Sequence, residues 1–352
     1  MTSNPSSLRV VAATPIEREL VDLITAREPR IEFVWEPELL HPQRFPGDHA
    51  GDPAFERTPA QQARFESLLD SAEALYGVPD ERPPLLKRVA DANPRLRWVQ
   101  TMPAGGGAQV KAAGLSDGQL QRIAFSTSAG VHSEPLAEYA LFGLFAGAKS
   151  LPRLLEQQRR HEWGDRWTMG LISEQRILVV GLGSIGRATA RKLSALGAHV
   201  TGTSRHESAV ENVDVVVHPD QIARVAPELD GVVVTLPGTA ATENLVGREF
   251  FESLKPGASF VSVGRGTVVD EEALIAALRS GRVGFAALDV FASEPLAPDS
   301  PLWDDPRVVI SPHTAALNSA EDRLIAELFA ENATRLLDGA ELINRVDTVE
   351  FY

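Results

Sequence analysis

Val179-Val180-Gly181-Leu182-Gly183-Ser184-Ile185-Gly186 carries the sequence out of an apolar, strand-like run, Arg176–Val180, and into a helical pattern over Ile185–Leu196. A G-x-G-x-x-G at such a strand-turn-helix junction has a physical purpose. The first glycine permits the tight turn, the second lets backbone approach a pyrophosphate, and the third lets helix pack on strand. The pyrophosphate would lie at the helix N-terminus, where free N–H groups and the helix dipole favour an anion. Gly181, Gly183, Ser184 and Ile185 are therefore the predicted contacts of a dinucleotide.

The residues beyond the next strand bear on which dinucleotide. A site for NAD places Asp or Glu about 20 residues on, to bind the ribose 2′-hydroxyl. Here Ser204 stands 18 positions after Gly186, followed by Arg205 and His206. A hydroxyl and a guanidinium suit a 2′-phosphate, because arginine offers planar, charge-assisted donors to phosphate oxygens. Ser204 and Arg205 thus favour NADP(H), with NAD(H) as the alternative.

Outward from this point the pattern repeats. Strand-like runs follow at Ala198–Thr201, Val213–Val217, Gly231–Leu236, Ser259–Val263, Phe285–Asp289 and Val308–Ser311, and Glu271–Ser280 reads as a helix stopped by Gly281. The first part alternates similarly: strands at Leu8–Ala13, Ile31–Trp35, Ala72–Tyr76, Trp98–Met102 and Ile123–Thr127, and a helix over Ile16–Ala26. His41–Pro59 is rich in Pro, Gly and Asp without periodicity and reads as a long loop, functional or mobile. Alternating β and α elements imply parallel sheets, and 352 residues imply two domains. The expected class is α/β, with two Rossmann-like or flavodoxin-like domains. Because the glycine motif is central, the cofactor domain (137–317) is predicted to be inserted into a discontinuous substrate domain (1–136 and 318–352). Helical crossovers would act as the hinge, and closure would exclude water.

Three segments in the last third carry chemistry. Val263-Gly264-Arg265-Gly266-Thr267-Val268-Val269-Asp270, Leu288-Asp289-Val290-Phe291-Ala292-Ser293-Glu294-Pro295 and Val309-Ile310-Ser311-Pro312-His313-Thr314-Ala315 each leave the end of a predicted strand. Taken singly, Glu294 is an ordinary turn residue and His313 an ordinary loop histidine. Together, Arg265, Glu294 and His313 occupy the sheet edge at which open α/β proteins bind ligands. Hydride arriving at a ketone carbon leaves charge on oxygen, so a proton donor is needed within hydrogen-bond reach. A histidine beside a carboxylate supplies one, and a guanidinium aligns a substrate carboxylate by two-point contact.

With those motifs in order, G-x-G-x-x-G, R-G-x-x-V-D, E-P and S-P-H, the chain resembles the D-isomer-specific 2-hydroxyacid dehydrogenase family over nearly its whole length. The resemblance implies that Arg265 binds the substrate carboxylate and carbonyl, His313 is the acid–base residue, and Glu294 is its partner. It implies that Asp289 touches the nicotinamide end and that Thr235-Leu236-Pro237 is the loop beneath the cofactor. Val263, Gly264, His313 and Ala315 complete the expected cofactor contacts. Ala104, Gly105 and Gly106 would offer backbone N–H groups to the substrate carboxylate. A homodimer is also implied, in keeping with the apolar stretch Tyr139–Ala146. The departures are Ser262 where the family has Asn, Gly107 where it often has Asp, Pro103 before the substrate loop, and His132 near the crossover. His132 reads as a crossover hydrogen-bonding residue or a cleft-lining one, and Trp303 as packing. Trp163 and Trp167 read as core or interface anchors.

Composition narrows the partners. A net charge of −14 argues against general nucleic-acid or anionic-membrane binding. No cysteine exists to form a disulfide, a thiolate nucleophile or a cysteine metal site, and no metal is expected. The polar Met1–Ser7 segment predicts no signal peptide, and the apolar Pro135–Ala148 stretch is too short to span a bilayer. A cytoplasmic protein is expected. Three functions remain open: a reductase of glyoxylate, hydroxypyruvate or a similar short 2-oxo acid; a dehydrogenase of a larger or phosphorylated hydroxy acid; and an NAD(P)-sensing regulatory protein.

Overall fold

The computed structural model describes residues 7–349 and 351. The Met1–Ser7 segment lies outside these, Ser7 excepted. The chain divides into two compact units: one reaches His132 and resumes at Leu317, and the other is Ser133–Ala316.

The first unit holds a parallel sheet of β1 (Leu8–Ala12), β2 (Ile31–Val34), β3 (Ala74–Tyr76), β4 (Trp98–Gln100) and β5 (Ala124–Ser126), in the order β2-β1-β3-β4-β5. Its core is largely aliphatic and contains an aromatic cluster. Trp98 stacks on Phe329 of the helix Glu321–Leu337 with ring centroids 4.5 Å apart, and Tyr76 meets the same Phe329 edge-on. The long loop after β2 lacks periodicity, as its composition dictates, yet it is tied down. His41 Nδ1 lies 2.9 Å from the Asp52 carbonyl, Arg44 is bonded to Asp48, and the Gly47 N–H donates to Asp322. The loop ends in a helix, Pro59–Leu69, that the sequence pattern conceals. Thr58 and Gln61 form a reciprocal capping box at its start, with Pro59 in the first turn.

His132 and His49 converge on the Glu321 carboxylate, Nε2 to Oε1, at 2.9 and 3.3 Å. All three are buried, so His132 takes the hydrogen-bonding role. Burial pushes the Glu321 carboxyl up, but the two histidine hydrogen bonds outweigh it and hold it below its ordinary value. The His49 contact, with that of the Gly47 N–H to Asp322, secures the His41–Pro59 loop to the helix Glu321–Leu337.

The second unit holds seven parallel strands: β6 (Arg176–Val180), β7 (His199–Thr203), β8 (Val215–Val217), β9 (Gly231–Val234), β10 (Ala258–Ser262), β11 (Val283–Leu288) and β12 (Val308–Ile310). Their order is β12-β11-β10-β9-β6-β7-β8. Strand β9, Gly231-Val232-Val233-Val234, is fully buried, the composition expected of a strand covered on both faces. The two sheets establish the α/β class with exclusively parallel strands. Among the described residues, no helix is long and apolar enough to cross a membrane.

Candidate active site

Strand register brings the motifs to one edge. Val180 pairs with Val234, Val234 with Ser262, Ser262 with Leu288, and Leu288 with Ile310. These five residues end their strands in a single row. The residues after each strand must therefore emerge on the same carboxyl edge: Gly181, then Thr235, Val263-Gly264-Arg265, Asp289 and Ser311-Pro312-His313. The strand order reverses between β6 and β9, the switch point at which such sheets open a crevice.

The glycine turn is built as its spacing requires. Gly181 adopts φ +104°, its N–H donates to Thr203 Oγ1 at 2.8 Å, and its carbonyl accepts from Thr235 Oγ1 at 2.8 Å. A Cβ on Gly186 would stand 1.9 Å from the Gly181 carbonyl oxygen, so only glycine lets the helix Ser184–Ala195 start this close. A Cβ on Gly183 would meet nothing within 4 Å. Gly183 is thus the open side of the turn, with room for a group to approach its backbone. These features fit a dinucleotide. Leu236 packs against Gly181, and a Cβ on Gly264 would meet the Leu236 carbonyl at 2.4 Å, so Thr235-Leu236-Pro237 and Val263-Gly264 form one surface. Ser204 and Arg205 leave the end of β7. Arg205 is exposed and makes no ion pair among the described residues.

The catalytic candidates sit further along that edge. His313 Nδ1 lies 2.7 Å from Glu294 Oε2, and the other carboxylate oxygen, Oε1, accepts the Phe291 N–H at 3.0 Å. Burial alone would push the Glu294 carboxyl up. The His313 hydrogen bond, the Phe291 N–H and the charges of His313 and Arg265 hold it below its ordinary value of 4.5. Arg265 is exposed, and one guanidinium nitrogen donates to the Gly264 carbonyl at 2.9 Å. His313 itself adopts φ +51°, a left-handed conformation rarely taken by non-glycine residues and concentrated at functional sites.

That conformation is enforced by Asp289. One of its carboxylate oxygens, Oδ1, accepts from Ser311 Oγ at 2.6 Å, Thr314 N at 2.9 Å and Ala315 N at 3.0 Å, while its carbonyl accepts the His313 N–H. Asp289 is 1% exposed, so three donors on one oxygen compensate a buried charge. Its first task is therefore to shape the turn that presents His313. The Ser311 hydroxyl also lies 2.9 Å from the Tyr139 hydroxyl, a partner that spacing in sequence gave no means to find. Nor was Arg187 visible as a site residue: its guanidinium, on the glycine-turn helix, pairs with Glu207.

Ala104, Gly105 and Gly106 lie in the first unit, in the turn after β4. The turn is tight, since a Cβ on Gly106 would stand 1.8 Å from Thr101 Oγ1. Trp303 is half-exposed, and its indole N–H donates to the Ala297 carbonyl at 3.0 Å, bracing its own loop. Trp163 is fully exposed, which removes it from the core. Trp167 carries the Arg153 guanidinium over its ring at 3.9 Å.

Residues 141–315 match the family described as D-isomer specific 2-hydroxyacid dehydrogenase, NAD binding domain. The glyoxylate reductase/hydroxypyruvate reductase of Mus musculus is 31% identical over 259 residues, covering 72% of this chain and 78% of the relative. The glyoxylate reductase of Korarchaeum cryptofilum is 30% identical, covering 79% and 83%. Among solved structures, a D-isomer specific 2-hydroxyacid dehydrogenase from Xanthobacter autotrophicus Py2, in complex with NADPH and MES, superposes with a TM-score of 0.76. It is 30% identical, and the match covers 98% of this chain and all of that one. A glycine cradle, a histidine–glutamate pair and an arginine on one sheet edge, in a chain so matched, place this NAD(P)-dependent enzyme in the D-isomer-specific 2-hydroxyacid dehydrogenase family.

Proposed function

We propose that the protein reduces a short 2-oxo acid, of the glyoxylate or hydroxypyruvate kind, to the D-2-hydroxy acid with NADPH. The observation that carries this reading is the 2.7 Å contact between His313 Nδ1 and Glu294, on the edge that also bears Arg265 and the glycine cradle. Its relatives point the same way, since the solved neighbour from Sinorhizobium meliloti is described as an NADPH-dependent glyoxylate/hydroxypyruvate reductase.

When bound, the reduced nicotinamide supplies the hydride. The chain does the rest. Arg265 holds the substrate carboxylate and carbonyl in fixed geometry, which aligns the carbonyl carbon and stabilises charge growing on its oxygen. Glu294 occupies Nδ1 of His313, so Nε2 is the nitrogen that gives its proton to that oxygen. In the reverse direction neutral Nε2 takes the hydroxyl proton. Backbone N–H groups of Ala104, Gly105 and Gly106 would add donors to the carboxylate. Ser184, Ile185, Thr235, Leu236, Pro237, Val263, Gly264 and Ala315 would line the dinucleotide, and Asp289 would lie at its nicotinamide end.

The test is NADPH consumption with a panel of short 2-oxo acids, in which glyoxylate or hydroxypyruvate is expected to turn over. Tight cofactor binding with no turnover on any of them would contradict the reading and favour a redox sensor; turnover confined to larger or phosphorylated acids would move the substrate class. For the cofactor, Arg205→Ala is expected to weaken NADPH by about tenfold and leave NADH within about twofold, the effect of one charge-assisted phosphate contact. Equal losses for both, measured by nicotinamide fluorescence, would count against NADP(H).

We also propose a homodimer through the second unit. Phe142 and Phe145 on the helix Ser133–Ala148 are 45% and 37% exposed, and Trp163 is fully exposed. Phe142 and Phe145 stand three residues apart on one helix, and exposed large apolar side chains so paired mark an interaction surface. Sedimentation is expected to return twice the chain mass.

A further inference from the structure

The NADP(H) reading rests on Ser204 and Arg205, yet a second arginine stands beside them. Arg187 directly follows the last glycine of the motif and lies in the first turns of the helix Ser184–Ala195. Its guanidinium donates to Glu207 Oε1 at 2.6 Å. Glu207 in turn is fixed to the ribose-reading end of β7, because its N–H and that of His206 donate to Ser204 Oγ at 3.0 and 3.3 Å. Thr203, at the end of the same strand, is bonded to the glycine turn through the Gly181 N–H. Helix start and loop are thus held at a fixed spacing. Ser204 is flanked by Arg205 along the chain and by Arg187 through Glu207.

The charges in this corner do not suit a 2′-phosphate as they stand. A phosphate monoester brings a charge of about −1.5 to −2, and Glu207 adds another negative charge three residues beyond Ser204. Arg205 alone cannot balance both. Arg187 offsets a further charge if it turns from Glu207 to the phosphate or bridges the two. The exchange costs little: the side chains are 44% and 47% exposed, and ion pairs so placed contribute little to the fold. An arginine fork gains more from a phosphate, which accepts paired N–H groups and carries greater charge. Glu207 also stands 21 positions after Gly186, near the spacing at which a carboxylate accepts a ribose 2′-hydroxyl. It therefore favours NADH and disfavours NADPH, while Arg187 does the opposite.

Building on the NADP(H) reading, we propose that Arg187 is a second ligand of the 2′-phosphate, held by Glu207 until cofactor arrives. Glu207 then sets how far the site discriminates between the two nucleotides. Titrating the full-length protein with NADPH and with NADH, monitored by nicotinamide fluorescence or calorimetry, tests this without reference to turnover. Arg187→Ala is expected to weaken NADPH by about tenfold and to leave NADH within about twofold. Glu207→Gln is expected to tighten NADPH roughly three- to tenfold and to leave NADH unchanged or weaker. Because the Glu207 backbone N–H still caps Ser204 in that variant, the loop keeps its shape. An Arg187→Ala protein that binds NADPH as wild type does, or loses both nucleotides equally, would overturn the proposal, as would a Glu207→Gln protein with weaker NADPH binding. Arg205→Ala in the same titration separates the two readings. If it loses NADPH while Arg187→Ala keeps it, only this inference fails. If wild type binds NADH as tightly as NADPH and neither arginine matters, the NADP(H) reading fails too.

Discussion

Replacing His313 by glutamine is expected to lower kcat for 2-oxo acid reduction by about 10²- to 10⁴-fold, the contribution usual for a positioned general acid. Glutamine keeps a hydrogen-bonding group near Glu294 but has no proton to give. NADPH affinity should stay within about threefold, because the glycine cradle and the Ser204 end of the site do not depend on the imidazole. Steady-state kinetics with a parallel binding titration reads both quantities. Glu294→Gln should cost less, since it leaves the histidine in place and removes only its charged partner. The pH dependence has a definite sign. The Glu294 carboxyl is held below 4.5 by His313, Phe291 N–H and Arg265 against the push of burial. The Glu294 carboxylate is therefore fully ionised above that value, and its contribution is lost only as pH falls through the lower folded one. An acid limb in kcat/KM that lies above pH 5 in wild type must then come from another group.

Arg265→Ala is expected to reduce kcat/KM by about 10³-fold, the loss of a two-point carboxylate contact together with stabilisation of developing oxyanion charge. Arg265→Lys should recover little of this, because an ammonium has no fork to match a carboxylate. The guanidinium is exposed, and its hydrogen bond is to the adjacent Gly264 carbonyl. Its removal should therefore leave thermal unfolding close to wild type, which distinguishes lost catalysis from lost fold. A variant with wild-type kcat/KM would remove Arg265 from the site.

The legible parts of this structure are those where one residue type has one physical reason. Gly186 could be read as a packing glycine because no other residue fits 1.9 Å from a carbonyl oxygen, and Val-rich runs such as β9 could be read as buried parallel strands. The parallel α/β architecture followed from that alternation. Arg265, Glu294 and His313 were legible as a set because each came after a strand end, and register did the rest. Other features have no local signature. The helix Pro59–Leu69 begins inside what composition marks as loop, and only the Thr58–Gln61 capping box betrays it. Sequence periodicity starts the cofactor domain at Ala137, whereas the helix Ser133–Ala148 belongs whole to the second unit. The convergence of His49 and His132 on Glu321 joins residues 272 and 189 positions apart, a contact set by packing that no spacing rule reaches. Asp289 was visible as a carboxylate at a strand end, but its service to Ser311, Thr314 and Ala315 depends on the neighbouring strand.

The arrangement of proton donor and carboxylate clamp is tested most directly by a crystal structure of the protein with NADP⁺ and oxamate, an unreactive mimic of a short 2-oxo acid. The expected result is His313 Nε2 within hydrogen-bond distance of the oxamate carbonyl oxygen, Arg265 bonded to its carboxylate, and the nicotinamide against its carbonyl carbon. Oxamate bound elsewhere, or a nicotinamide ring remote from His313 and Arg265, would contradict the account.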